Sequence, residues 1–387
     1  MRPIGAAIAA TLAIGACRPE GDAAPGPGEP LVELTEEQLG RFLLGRAVFE
    51  RLTTPEEGLG PLFNAERCSA CHSEPASGGS GPALVLKATR FESGYCDLLP
   101  DEGGDNIQQR ATPLLQARGI MQEGIPSRAT ATARVTGPLL FGLGLVEAIP
   151  EAAILAREDS ADADGDGISG RAPRTASGRL ARFGRKGDAA TILDFIDTAL
   201  RFELGLTTPA HPTEETVNGK PLPRGTDPSP DPEIDERGMD LLADYVRLLA
   251  PPGRAATWGP ARDSVSRGEE LFRSTGCASC HVPELRSGPS DVRALDRKPV
   301  PLYSDLLLHD LGPDLADVCG ASAAPSEYRT APLWGLRFRS TYLHDGRAGT
   351  LREAIALHGG EAAAARAAFQ ARSAEHQGLL LRFLSSL

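Results

Sequence analysis

The sequence predicts a mainly α protein of two domains joined by long irregular loops, the first domain enlarged by an insertion. Three observations predict it. Apolar residues recur at helical spacing behind capping signals, and one cysteine-containing segment occurs twice. The chain is also rich in turn formers, with 43 Gly and 32 Pro among 387 residues, while aromatics make up only 5%. A core so poor in aromatic side chains leaves room for a cofactor. Lys and Arg number 40 against 52 Asp and Glu, a net charge of -12, which opposes the attraction to phosphates and argues against nucleic acid as a partner.

Residues 1–16 read as a signal peptide, with Arg2 ahead of a short apolar run and a small-residue exit. The run is too short for a stable membrane span. Ile14-Gly15-Ala16-Cys17 resembles the bacterial lipobox, which makes Cys17 the lipidated first residue of the mature chain and 17–32 a Gly-, Pro- and Ala-rich tether. The protein is then expected to be an exported, periplasm-facing lipoprotein that meets the membrane through its lipid alone.

Thr35 and Gln38 form a capping box opening an amphipathic helix with Leu39, Phe42, Leu43, Val48 and Phe49. Asp188 is expected to cap a second helix containing Ile192, Phe195, Ile196, Ala199 and Phe202. A third run, Ile234 to Leu249, stops at Pro251-Pro252, so the domains are predicted as 33–250 and 251–387. Thr350 and Glu353 box another helix through His358, and Leu379 to Phe383 mark a terminal one.

Cys68-Ser-Ala-Cys71-His72 and Cys277-Ala-Ser-Cys280-His281 both have the attachment spacing of c-type haem. Two thiols one helical step apart can add to the two vinyl groups of a porphyrin, and the adjacent imidazole then falls under the iron. The alternative, a redox dithiol or half a zinc site, has no further cysteine pair to complete it. Two covalent haems c are therefore expected in two cytochrome c-like domains. Leu62-Phe63 and Leu271-Phe272 each precede the motif by four residues, extending the repeat. Cys96 and Cys319 remain and are paired as a disulfide in an oxidising compartment, the alternative being two separate buried thiols.

Five further blocks, Leu140–Pro150, Asp164–Arg171, Tyr303–Asp310, Arg329–Gly335 and Leu343–Arg347, with His358–Ala362, resemble the bacterial di-haem oxidoreductase family, described as peroxidases and sometimes as thiol oxidoreductases. That family is similar at a distance to the di-haem cytochrome c peroxidases and to a di-haem maturase that oxidises tryptophans in a partner protein. The resemblance implies peroxide as substrate and a small redox protein, a cytochrome c or a copper protein, as electron donor. One departure stands out: Arg185 occupies a position where the family usually has Trp.

The sixth ligand decides what each haem does, because a filled site moves electrons and an open one binds peroxide. By resemblance to the peroxidases, His358 takes the place of a distal Met and is the expected sixth ligand of the His281 haem. A His at a helix C-terminus is its alternative reading. No sixth ligand stands out for the His72 haem, with Met121 a weak candidate, so that site is expected to be the reactive one. Glu147, in apolar surroundings that would raise its pKa, is the candidate base for moving the peroxide proton, and His344 the candidate residue between the haems. Arg329 and Arg347 are candidates for pairing with haem propionates. Asp162, Asp164 and Asp166 alternate as in the start of an EF-hand loop, a candidate Ca²⁺ site, although Pro173 stands where the bidentate Glu belongs. Two alternatives compete with a peroxidase: a non-catalytic di-haem electron carrier, and a protein-modifying oxidase.

Overall fold

A computed structural model describes residues 25–255 and 257–387. The expected signal peptide and Cys17 lie outside them. In chain order the helices are α1 (Glu36–Glu50), α2 (Pro113–Gln116), α3 (Leu143–Glu147), α4 (Glu151–Leu155), α5 (Ile192–Ala199), α6 (Glu236–Leu248), α7 (Pro260–Ser274), α8 (Leu351–Leu357), α9 (Ala363–Ala371) and α10 (Ala374–Leu384). Helix outweighs strand, as predicted. No helix among the described residues is long and apolar enough to cross a membrane.

Two helix crossings organise the molecule. Thr35 caps α1 through the Gln38 amide, and α1 then lies across α6 so closely that a Cβ on Gly45 would stand 2.0 Å from the Leu241 carbonyl oxygen. The same contact recurs between α7 and α10, where a Cβ on Gly268 would stand 2.2 Å from the carbonyl oxygen of Leu379. A helical glycine costs about 1 kcal/mol of propensity, and here it is retained because no other residue lets the two backbones meet. Four residues after each glycine a phenylalanine turns inward. Phe49 packs on Tyr245 of α6 at 4.9 Å between ring centres, and Phe272 on Phe383 of α10 at 5.3 Å.

This pairing corrects the sequence alignment. Leu62-Phe63 is a two-residue strand, whereas Leu271-Phe272 lies on α7, so the residue equivalent to Phe272 is Phe49. The chain between α1 and the first cysteine makes an excursion that has no counterpart after α7. The cap of α5 is also displaced: Thr191, boxed with Asp194, starts it, and Asp188 lies outside the helix. The helix then widens into a π-turn over Leu200–Leu204 and ends at Gly205, whose φ of 72° is left-handed.

The insertion contributes a small antiparallel sheet that the helical reading did not anticipate. Leu84–Glu92 pairs with Tyr95–Asp97, Asn106–Ile107 and Ala131–Thr136. Cys96 in this sheet is joined to Cys319 across 223 residues of sequence. The largest core cluster runs without a break from Phe42 and Phe49 through Leu145 and Leu242 to Leu302, Leu306 and Trp334, so both sides of Pro251-Pro252 share one interior.

Candidate functional site

The two Cys-x-x-Cys-His segments fold alike. Each cysteine pair sits on a 3₁₀ turn, Cys68–Ala70 and Cys277–Ser279, and the histidine amide donates to the first cysteine's carbonyl at 3.2 Å for His72 and 3.0 Å for His281. Burial pushes the thiols up, Cys68 to about 12 and Cys277 to about 11. Each imidazole is held by Nδ1 against a backbone carbonyl, His72 on Gly79 at 3.1 Å and His281 on Tyr303 at 3.0 Å. That is how a metal-bound histidine is normally oriented, with Nδ1–H donated and Nε2 left as the ligand atom. Burial drives both toward the neutral form that ligation needs, His281 down to about 4.

The surroundings differ. Cys277, Cys280 and His281 border a cavity of about 630 Å³, within the range of cofactor pockets. His358, the C-cap of α8, lines the same cavity, and its Nδ1 donates to the Ala354 carbonyl at 2.7 Å. His281 and His358 are near enough that a charge on His358 would depress His281. His72 does not line this cavity, although Pro138, whose backbone it contacts, does.

Residues 126–387 match the family described as "Di-haem oxidoreductase, putative peroxidase". The chain belongs to that family. The second motif lies inside the matched stretch of this di-haem oxidoreductase and the first lies before it. No curated protein matches the chain. Among solved structures, the diheme peroxidase BthA from Burkholderia thailandensis is similar over 90% of this chain and 86% of its own, with 16% identity and a TM-score of 0.43. A MauG-like protein associated with microbial copper homeostasis is similar over 95% and 93%, with 17% identity and a TM-score of 0.41. Kuenenia stuttgartiensis hydrazine synthase is similar over 99% and 100%, with 16% identity and a TM-score of 0.41.

The structure of the di-haem oxidoreductase redistributes several expected roles. Glu147 is no free base. Its Oε2 pairs with Arg247 at 2.7 Å and its Oε1 accepts the Ile192 amide at 2.8 Å, so it bolts α3 to α6 and to the N-terminus of α5. Arg347 pairs with Asp345, also donates to the Asp314 carbonyl, and has no part in the cavity wall. Arg329 does line the cavity. Among the three predicted calcium ligands, Asp162 and Asp164 converge with Asp159, while Asp166 accepts the Ile168 amide in an Asx turn.

His344 is buried against the cavity. Its Nε2 lies 2.9 Å from Asp317, its ring stacks on Tyr328, and its carbonyl accepts the Thr136 amide. Thr136 precedes Gly137, where a Cβ would stand 3.1 Å from the His72 ring, so His344 sits on the path between the two motifs. His309 has both nitrogens engaged, with Asp305 at 2.9 Å and Glu361 at 2.8 Å, and these carboxylates raise it to about 12 against the cost of burial. The two carboxylates engage both ring nitrogens and favour the charged form.

Sequence reasoning missed Arg185 and Arg339 as cavity residues, and it missed Glu203. Glu203 stands close enough to Cys71 to raise that thiol. Burial raises its own carboxyl, Oε1 accepts from Asn106 at 2.7 Å, and Oε2 is buried without a partner. An orphaned oxygen in a carboxylate held this way was not visible in a sequence where Glu203 ends an ordinary helical run.

Proposed function

We propose that the chain is an exported, lipid-anchored di-haem peroxidase with haem c attached through Cys68 and Cys71 and through Cys277 and Cys280, in two cytochrome c-like halves. The observation that carries this is the unequal supply of ligand nitrogens. His281 and His358 share one cavity, each with Nδ1 already bonded, which suits an electron-transfer haem with both axial sites filled. His72 has no such companion. Met121 is 59% exposed, Met239 is buried in α6, and His344 directs Nε2 at Asp317.

A haem held by Cys68, Cys71 and His72 would supply peroxide binding at the first motif. The chain's own residues orient and protect that position. The Gly79 carbonyl fixes the His72 ring, and Glu203 is the proton-carrying carboxyl that Glu147 was expected to be, with Oε2 free to take and return a proton. Overall, peroxide, two electrons and two protons give two waters, the electrons coming from a small redox protein.

Electron paramagnetic resonance of the oxidised protein tests the reading. One high-spin and one low-spin centre are expected, the high-spin centre alone responding to peroxide, and His358→Ala should turn the low-spin centre high-spin. Two low-spin centres indifferent to peroxide would leave a carrier instead.

A further inference from the structure

Five guanidinium groups line the cavity, and three of them, Arg185, Arg329 and Arg339, have no carboxylate partner; the two carboxylates on the wall are engaged elsewhere, Glu361 with His309 and Asp166 with the Ile168 amide. Arg185 donates to the carbonyl and hydroxyl oxygens of Thr136 at 2.7 and 2.6 Å. Arg329 donates to the carbonyls of Gly184 at 2.9 Å and Thr330 at 3.2 Å, and Arg339 to that of Thr341 at 3.2 Å. Every one of these acceptors is neutral, and none of the three arginines makes an ion pair among the described residues. The Arg329 amide also donates to the Arg185 carbonyl at 2.9 Å, which fixes the first two side by side. All three border the cavity.

Several other cations are neutralised by carboxylates, whereas Arg182, on the same cavity wall, meets only the Ile149 carbonyl. Lys186 lies 3.3 Å from Asp317, Lys87 2.6 Å from Asp105, and Arg247 2.7 Å from Glu147. A buried cation left unpaired is costly, and guanidiniums crowded together repel, so a cluster of three signals an anion that the side chains do not provide. Burial and the neighbouring guanidiniums together press Arg185 down to about 9, the same statement in terms of protons. Planar guanidiniums match carboxylates in particular.

We propose that Arg185, Arg329 and Arg339 form one carboxylate-binding site, that its ligands are the two propionates of the haem held by Cys277, Cys280 and His281, and that the guanidinium in excess keeps this cavity cationic and raises that haem's reduction potential. This rests on a haem occupying the cavity. The sign follows from charge: the ferric centre carries one more positive charge than the ferrous, so a nearby cation favours reduction.

The test is a spectroelectrochemical titration of the holoprotein beside Arg185→Gln, Arg339→Gln and the two corresponding Lys variants, with covalent haem counted by pyridine haemochrome. Both Gln variants are expected to keep two haems, to lower the potential of the low-spin haem and to leave the other in place, while the Lys variants retain most of the wild-type value. Unchanged potentials in both Gln variants would overturn the proposal. So would a wild-type potential that follows added acetate at constant ionic strength, since the site would then be open to dissolved carboxylates. Fewer than two haems in the wild type would instead remove the underlying reading. Should a Gln variant fail to fold, its Lys partner decides, because Lys keeps the charge while losing the bidentate geometry.

Discussion

The two halves share a skeleton and differ in what they place around it. Each has a glycine-mediated helix crossing, an inward phenylalanine, a 3₁₀ cysteine turn and an imidazole fixed by a carbonyl. The second half adds a second imidazole, His358, and the guanidiniums of Arg329 and Arg339, which with Arg185 of the first half line one cavity. The first adds the inserted sheet and the buried carboxyl of Glu203. On the proposed reading, attachment of a porphyrin would be a property of the repeated skeleton, and the difference in chemistry would come from residues outside it. The same reading would put proton handling beside Glu203 and electron transfer beside His281 and His358.

The sharpest way to break this comparison is to exchange the fates of two glutamates. Glu203→Gln is expected to slow peroxide turnover by roughly 10²- to 10⁴-fold, the usual contribution of a positioned acid-base group. Glu147→Gln should leave turnover near wild type and destabilise the fold by about 2 kcal/mol, because Arg247 loses its charged partner. Steady-state peroxide assays with a reduced cytochrome, beside urea denaturation, read both. If Glu147→Gln lost activity without losing stability, the assignment would be reversed.

That exchange also shows what could be read from the sequence. Local signals were legible: the capping boxes at Thr35 and Thr350, the attachment motifs and the pairing candidates Cys96 and Cys319 all depend on neighbours or on elimination. Glu147 was misleading because its apolar neighbours in sequence suggested a raised pKa, while the groups that define it, Ile192 and Arg247, come from other helices. The repeat was extended wrongly to Phe63 for the same reason, since a dipeptide match carries no information about whether it lies on a helix. The crossing glycines were silent, because an isolated glycine in a helical run reads only as a weakness. Arg185 and Arg339 became visible as a pair with Arg329 only once the fold brought them to one wall.

The shared skeleton predicts equal damage in both halves. Gly45→Ala and Gly268→Ala each force a methyl group into a backbone carbonyl, and each is expected to cost on the order of 3 kcal/mol. Urea unfolding of the two variants should give matching losses. A Gly45 variant that unfolded like the wild type would show that the first crossing has slack the second lacks.

The imidazolium at His309 distinguishes the halves by pH. Its folded pKa is raised, so its contribution is complete below the unfolded value near 6.5 and is lost as the pH climbs toward about 12. Between pH 7 and 9 stability should fall by up to about 1.4 kcal/mol per pH unit from this group. His309→Gln should be less stable at pH 6 and show a flatter decline. Parallel slopes for the two proteins would mean that Asp305 and Glu361 do not hold the proton there.

The smallest effect is expected at Arg347, and its smallness is informative. Arg329 and Arg347 looked equivalent in the sequence as partners for buried carboxylates. In the fold Arg329 lies on the cavity wall with only carbonyls for company, while Arg347 is 39% exposed and already paired with Asp345. Exposed pairs contribute little, because water solvates both ions nearly as well apart as together. Arg347→Gln should therefore change stability by no more than about 0.5 kcal/mol and leave both haem potentials where they were. A shift in either potential, measured in the same titration as the cavity variants, would mean that the charge at Arg347 reaches a haem, and the boundary between the cationic cavity and the outer surface would have to be redrawn around it.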